Sequence, residues 1–431
     1  MALLDDSQYV NDLQSKMTNV EIAAKWDTSE TSVRRHKAKL EIAPAEKPVK
    51  AEPVIITGKV DRGVDGGEFI DVQTQEKISD WSAVFARFDL PPDEFEIVDD
   101  TVRCATWQQS KALEDGTRDV VNLFSYRASF RRKASALVDV PDILASLRRW
   151  RPATKATGKP LSEPVTMFLG WADWQLGKGD GDGTPGTTQR ILDGFEEAEK
   201  RIRLLRKQGV NIEGVAFGNM GDHTEMVTGH YTSQRATTDL NLRDQLNLAI
   251  ELNLTGIKAL APLVDKATYL TCLCNHGQWQ REGGKQITDD SDNSTGFLAD
   301  MLKAVCTLHP ALSHVEWVIP RDEMITTANL SGVNVAAAHG HKITGSEENW
   351  LAKQSAWLHT TKNFRPELWV TAHRHTALNE DMGNYHRVQC ATVDPGSKSF
   401  TDATGRFSTQ GTTSFVIGRH NKRMISHYEV L

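Results

Sequence analysis

The spacing of apolar positions changes along this chain, and the changes divide it into parts. In residues 1–40 the spacing is helical: Ile22, Ala23 and Trp26 form one stripe in MTNVEIAAKWDTSETSVRRHKAKL. Thr18, followed three residues later by Glu21, is the pairing that caps a helix start. Asp27-Thr28-Ser29 interrupts the stripe, and a second helix follows with Val33 among cations. Residues 41–53 (EIAPAEKPVKAEP) show no period and read as a semi-rigid linker. Residues 54–150 read as a mixed module with short strands at Val54–Thr57, Glu68–Val72, Glu96–Val98 and Thr101–Cys104. A second linker at 151–164 precedes the strongly apolar run Val165–Leu169.

From 165 to 431 strand and helix patterns alternate. Strands are expected at Val165–Leu169, Val215–Phe217, Thr268–Leu273, Val333–Ala338, Leu368–Thr371, His386–Thr392, Ser414–Arg419 and Met424–Val430. Helices are expected at Gln189–Gln208, Leu240–Ala261 and Gly296–Cys306. This order predicts an α/β domain of two packed β-sheets flanked by helices, in four layers, beside a small all-α head and the mixed module. The Gly- and Asp-rich stretch GKGDGDGTPGTT (177–188) reads as a mobile loop able to cover a substrate, with Lys178 in reach of a phosphate.

Composition narrows the class. A chain of 431 residues, 39% hydrophobic and 25% charged, suits two or three domains and contains no apolar run long enough for a membrane span. The acidic N-terminus is unlike a secretion signal, and the five cysteines lack a disulfide or zinc spacing, so a cytoplasmic protein with reduced thiols is expected. The net charge of -7 hides a segregated pattern. Residues 51–120 are net acidic, whereas residues 121–160 carry nine Lys or Arg against two Asp. The head has the parts of a helix-turn-helix, with Arg34, Arg35 and Lys37 as candidate DNA contacts; the alternative is a helical hairpin for protein contacts. VNLFSYRASFRRK (121–133) interleaves aromatics with cations, and Arg131 and Arg132 are further candidates; a strand with one buried face is the competing reading.

Candidate chemistry lies just after the predicted strands. Asp173 and Gln175 follow the first, Asp222 the second, Asn275 and His276 the third, His339 the next, and His373 and His375 close the run LWVTAHRH. Open α/β sheets bind ligands at the carboxyl ends of their strands, so these segments can meet in one crevice. Carboxylate, amide and imidazole donors without thiolate suit two divalent cations, Mn²⁺ first and Fe or Zn as alternatives.

At these residues the sequence resembles the calcineurin-like metallophosphoesterases, whose Asp-x-His, Gly-Asp, Gly-Asn-His-Asp/Glu, His and Gly-His-x-His motifs occur in that order. The counterparts are Asp173-Trp174-Gln175, Gly221-Asp222, Cys274-Asn275-His276-Gly277, His339 and Ala372-His373-Arg374-His375. The resemblance implies that Asp173, His375 and Gln175 hold one metal, that Asp222 bridges, and that Asn275, His339 and His373 hold the second. His341 is the rival for the His339 position, and His223 lies near the site without binding metal. His276 then assists as acid or charge stabiliser while a hydroxide between the metals attacks phosphorus. Three departures stand out: Gln175 for histidine, Gly277 for the acid that should orient His276, and Ala372 for glycine. Within the family the chain looks most like DNA nucleases of the double-strand-break-repair type carried by bacteria and their phages. DNA is then the expected partner, with a second copy or a helicase- or ATPase-like protein as further partners. The alternatives are a phosphatase or small-molecule or cyclic-nucleotide phosphodiesterase, and a non-catalytic DNA-binding regulator on the same scaffold.

Overall fold

A computed structural model describes residues 7–14, 19–40, 55–63, 66–112, 118–133, 140–154, 162–394, 396, 401–402, 405 and 409–431. The capping residue Thr18 and the linker at 41–53 lie outside them. The chain falls into two compact units: residues 1–58, 71–89 and 104–126 in one, and 59–70, 90–103 and 127–431 in the other. The boundary thus runs through the expected middle module instead of beside it.

The head has three helices, α1 (Ser7–Gln14), α2 (Asn19–Lys25) and α3 (Glu30–Lys39), closed around Tyr9, Leu13, Ile22, Ala23 and Val33. Polar bonds fix the packing: the Tyr9 hydroxyl lies 2.8 Å from His36 Nδ1, and the Trp26 indole N–H donates to Asp12 at 2.6 Å. The middle strands are β1 (Ile55–Gly63), β2 (Gly66–Thr74), β3 (Phe95–Ile97), β4 (Arg103–Ala112) and β5 (Arg118–Arg132), with α4 (Ser82–Arg87) between β2 and β3. In β5, Tyr126, Ala128 and Phe130 are buried while Arg127 and Arg131 are exposed, the alternation of a strand with one covered face.

The larger unit continues through α5 (Val140–Arg149), β6 (Val165–Trp171), α6 (Gly183–Lys207), β7 (Ile212–Asn219), α7 (Gln234–Thr237), α8 (Leu242–Leu260) and β8 (Lys266–Thr271). A short hairpin, β9 (Arg281–Glu282) and β10 (Lys285–Gln286), then α9 (Ser294–Cys306), β11 (Val315–Val318), β12 (Thr326–Leu330) and β13 (Val333–Ala338) follow. The chain ends with α10 (Glu347–Lys362), β14 (Leu368–Thr371), β15 (Leu378–Asp381), β16 (His386–Gln389), β17 (Thr413–Ile417) and β18 (Ile425–Val430). Two sheets result, in the orders β11-β8-β7-β6-β17-β18 and β12-β13-β14-β16-β15. Within the first, β11, β8, β7 and β6 are parallel; within the second, β13, β14 and β16 are.

The cores show how the layers stack. Phe168, Ala216, Leu270, Phe415 and Ile417 of the first sheet share a cluster with Val333, Val335, Leu368, Val370 and Val388 of the second. The outer face of the first sheet (Met167, Leu169, Val215, Tyr269) packs against Ile191, Ile202, Leu252 and Leu302 of α6, α8 and α9. Ala336, Ala338 and Trp369 of the second sheet pack against Leu351 and Leu358 of α10. All seven residues of β6 are buried, as a parallel strand covered on both faces requires. The domain is α/β, two packed sheets flanked by helices.

Strands β11, β12 and β15 and helix α10 were not anticipated. The stretch 177–188 also departs from the mobile loop expected there, since α6 begins at Gly183. Asp239 supplies the reason: it accepts from the Thr184 amide at 2.8 Å and from the Thr184 hydroxyl at 2.6 Å, pinning the first turn from outside.

Candidate metal centre

Six strand ends of the larger unit deliver polar side chains to one place. Asp173 and Gln175 follow β6, Asp222 and Glu225 follow β7, Asn275 and His276 follow β8, His339 follows β13, His373 and His375 follow β14, and Asp394 follows β16. Backbone bonds tie the loops together: the Asp173 amide donates to the Gly221 carbonyl at 3.0 Å, Gln175 to Asp222 at 2.8 Å, and Ala372 to His339 at 3.0 Å. Asp173, Gln175, Asp222, His373 and His375 all take left-handed backbone angles, with φ between 43 and 71°. Each such residue costs about 1–3 kcal/mol, and such angles cluster where function over-determines geometry. Gly221 allows the closest approach, because a Cβ there would lie 2.5 Å from Cys274 Cβ and 2.9 Å from His339 Nδ1.

The proton count around His339 decides what the pocket accepts. His339 Nδ1 sits 2.8 Å from the Met220 carbonyl, which offers only lone pairs, so Nδ1 holds the proton of the neutral ring. Nε2 lies 2.9 Å from Asp222 Oδ2 and 2.9 Å from Asn275 Oδ1. Burial works to lower the ring, but Asp222 outweighs it and raises the ring, so in the metal-free chain a proton on Nε2 joins these acceptors. A cation would take that proton's place among the three donors, and Asp222 Oδ2, like Asp173 Oδ1, is buried without a hydrogen-bond partner. A cation is what such a group needs. His373 joins them: its ligand nitrogen, that of His339 and a carboxylate oxygen of Asp222 all lie within 4.8 Å of one another. Among the described residues no second trio of His, Cys, Asp or Glu meets that distance. His373 is pushed down to about 4, chiefly by burial and then by His339, so its imidazole is neutral at pH 7. Burial works to raise the Asp222 carboxyl, but His339 and His276 outweigh it and hold it well below the usual carboxylate range. The residues present therefore fit one divalent cation.

No family model and no curated protein matches the chain. Solved structures do align with it. An archaeal phosphodiesterase shares 12% identity over 62% of this chain and 99% of its own, with a TM-score of 0.27. A hypothetical protein from Pyrococcus horikoshii shares 11% over 62% and 88%, at 0.32. A purple acid phosphatase from yellow lupin (Lupinus luteus) shares 10% over 84% and 70%, at 0.30. Likenesses this distant leave the chemistry to the residues themselves.

His276 lies beside the trio without joining it. Its amide donates to Asp222 Oδ1 at 2.9 Å, and its Nδ1 sits 2.8 Å from the Glu225 carbonyl and 3.4 Å from Glu225 Oε2. Glu225 is the acid that Gly277 fails to provide. It is almost wholly buried, is held by the Tyr231 hydroxyl at 2.6 Å, and has its carboxyl raised by burial. Gly277 itself cannot bear a side chain there, because a Cβ would fall 2.1 Å from Asn293 Oδ1. The His276 ring also stacks on His230 at 4.0 Å, leaving Nε2 as the nitrogen not engaged by Glu225.

The other half of the pocket differs. Asp173 is buried, with Oδ2 accepting from the His373 amide at 3.1 Å and Oδ1 lying 3.4 Å from His375 Nε2. Gln175, expected among the ligands, offers its oxygen to Lys178 Nζ at 3.1 Å. Lys178, expected to reach a phosphate, is paired with buried Asp394 at 2.5 Å, and Asp394 also faces His375 Nδ1 at 3.3 Å. Sequence reasoning missed Asp394 and Glu225. The signals were an acid just after a predicted strand (CATVDPG) and a second acid inside GDHTE.

The remaining candidates lie as follows. His223 is a satisfied core histidine: one ring nitrogen is 3.1 Å from the Trp171 carbonyl, the other 3.1 Å from Asn253, and the ring stacks on Trp174. The His341 ring lies 5.5 Å from that of His339, with both nitrogens buried and unpartnered. Arg131 and Arg132 pair with Glu96 and Glu94 on neighbouring β3 and the turn before it, and Arg132 also covers the Phe95 ring. In the head Arg35 is exposed and Lys37 buried, while the side chain of Arg34 lies outside the described residues. No helix among the described residues is long and apolar enough to cross a membrane.

Proposed function

We propose that this chain is a metal-dependent phosphodiesterase, and that its substrate is DNA. The observation that carries the catalytic reading is the convergence of Asp222 Oδ2, Asn275 Oδ1 and His339 Nε2, with His373 beside them and an oriented histidine next door. Asp222, Asn275, His339 and His373 would hold a divalent cation, Mn²⁺ with Fe or Zn as alternatives, which would supply Lewis acidity toward a phosphoryl oxygen and a water. The protein's own contribution lies in His276. Its backbone amide is fixed by Asp222 and its Nδ1 by Glu225, so Nε2 is the atom free to give a proton to a leaving oxygen or to meet its charge. His339 is kept in one tautomer by Met220, so its lone pair stays aimed at the cation.

The choice of DNA comes from the rest of the sequence. A trihelical head with a cationic third helix, exposing Arg35, suits a phosphate backbone, and nine cations within residues 121–160 would add to it. The pairing of Arg127, Arg131 and Arg132 with glutamates tempers the second point, so the head is the stronger support.

The test uses the full chain with linear single- and double-stranded DNA and with bis-p-nitrophenyl phosphate, in Mn²⁺ or EDTA, beside His276→Ala. Metal-dependent cleavage of DNA that His276→Ala abolishes supports the reading. Turnover of the chromogenic diester with DNA left intact moves the substrate to a small molecule. Hydrolysis that persists in EDTA removes the assigned site.

A further inference from the structure

The two halves of the pocket are not equally able to take a cation, and the reason lies in Lys178. On the His339 side, Asp222 Oδ2 and Asn275 Oδ1 each lie 2.9 Å from His339 Nε2, a set of donors that a cation can draw together. On the Asp173 side, the donor that should complete a second metal site is already engaged. The Gln175 oxygen faces an ammonium at 3.1 Å, and that ammonium is 12% exposed and locked to Asp394, itself 2% exposed. A metal bound to the Gln175 oxygen would sit about 2.0–2.2 Å from it. That distance leaves at most about 5 Å between a dication and the Lys178 charge, a like-charge contact inside a water-poor pocket. Asp394 extends the arrangement by facing His375 Nδ1 at 3.3 Å, so the imidazole and the ammonium share one carboxylate.

We infer that this chain holds a single divalent cation, at Asp222, Asn275, His339 and His373, and that the Lys178 ammonium supplies the positive charge on the Asp173 side where a second cation would otherwise lie. The inference deepens the phosphodiesterase reading and rests on it. Three carboxylates, Asp173, Asp222 and Asp394, face one ammonium and one dication, so the charges balance before any proton on His375 is counted. A fixed ammonium beside a phosphodiester does part of what a metal does. It attracts the anion and meets charge as it develops, but it cannot polarise water as strongly as a dication does. Gln175 is then a neutral oxygen that accepts from Lys178, where a histidine would have competed with it. By this assignment Lys178 would meet the charge of a substrate phosphate, and Gln175 and Asp394 are its positioning residues.

The decisive measurement is the metal stoichiometry of the unaltered full chain. Protein stripped with EDTA is titrated with Mn²⁺ alone by calorimetry, and bound Mn²⁺ is examined by electron paramagnetic resonance. One equivalent with the resolved spectrum of an isolated Mn²⁺ supports the inference. Two equivalents with the altered spectrum of an exchange-coupled pair would overturn it while leaving the phosphodiesterase reading standing. No binding at all would remove both. A double variant, Gln175→His with Lys178→Ala, restores a histidine and removes the competing charge. It should take up a second equivalent and lose the isolated-ion spectrum; binding that stays at one equivalent in a folded double variant would mean that Lys178 is not what excludes the second ion.

Discussion

The two ends of the pocket are built from the same kinds of side chain and reach opposite outcomes. At the His339 end an imidazole, a carboxylate and an amide oxygen meet in front of the ring, while the Met220 carbonyl holds Nδ1 behind it. At the His375 end an imidazole lies between two carboxylates, Asp173 and Asp394, and an ammonium takes the amide oxygen. Both ends keep a buried carboxylate oxygen without a hydrogen-bond partner, Asp222 Oδ2 and Asp173 Oδ1, but at the second the Lys178 ammonium meets the amide oxygen. What separates them is the Lys178 ammonium, held by Gln175 and Asp394. Against burial, a facing carboxylate raises both rings, Asp222 for His339 and Asp173 for His375, so the charge that differs between the ends is the ammonium.

The strongest way to break this contrast is to remove one carboxylate from each end. Asp222→Asn should weaken Mn²⁺ binding by more than about 100-fold, beyond the 10–100-fold typical of outer partners, and abolish hydrolysis. Asp173→Asn should change Mn²⁺ affinity by less than about 10-fold. Calorimetric titration of both variants checks the pair. Equal losses would mean that the two ends share their metals after all.

His276→Ala comes next in size. A positioned acid contributes on the order of 10²–10⁴-fold, so hydrolysis of a phosphodiester should fall by that factor while Mn²⁺ affinity holds within a few-fold. Steady-state rates combined with the same titration separate the two. A matching loss of metal would make His276 a ligand, against its placement beside Glu225.

This contrast marks where the sequence was legible. The layered α/β domain followed from alternating periods, and the ends of β13 and β14 were readable to the residue, because buried parallel strands are near-continuous apolar runs. Helix α10 was missed since its apolar positions, with Leu351 and Leu358 buried and Trp357 exposed, do not form one clean stripe. Within the site, every residue in an ordered motif was visible as a candidate, but its partners were not. Glu225 substitutes for an acid at Gly277 only because folding brings the loops after β7 and β8 together and Asn293 fills the space at Gly277. Asp394 meets Lys178 across 216 positions, a separation that no local pattern can encode. The role of Gln175 depended on that pairing, so its substitution for histidine was legible while its consequence was not.

A smaller effect tests the device that aims His276. Glu225→Gln keeps the shape and removes the charge 3.4 Å from His276 Nδ1. Outer partners of this kind are worth about 10–100-fold, and since the Glu225 carbonyl keeps its own contact at 2.8 Å, the lower end is expected. The rate should drop by about 10-fold without change in Mn²⁺ stoichiometry. A rate unchanged by Glu225→Gln would leave the carbonyl as the whole of the orienting device.

The subtlest probe is the pH dependence of stability in metal-stripped protein. Burial works against the charged form of His375, but Asp173 and Asp394 outweigh it and raise the ring to about 10 in the folded chain. The unfolded value is about 6.5. A group raised on folding lends its stability in full below the unfolded value and loses it as pH climbs toward the folded one. The unfolding midpoint should therefore decline between about pH 6.5 and 10, and His375→Gln should flatten that part of the decline. The ring is partly exposed, with 24% of its side chain accessible, so solvent screening makes the drop gentler than full burial would. Mn²⁺ then sharpens the comparison. If the cation fills only the His339 end, the midpoint rises but the difference between parent and His375→Gln across this window persists. If added Mn²⁺ erases that difference, a cation has displaced the His375 proton, and the two ends of the pocket are alike in the loaded protein.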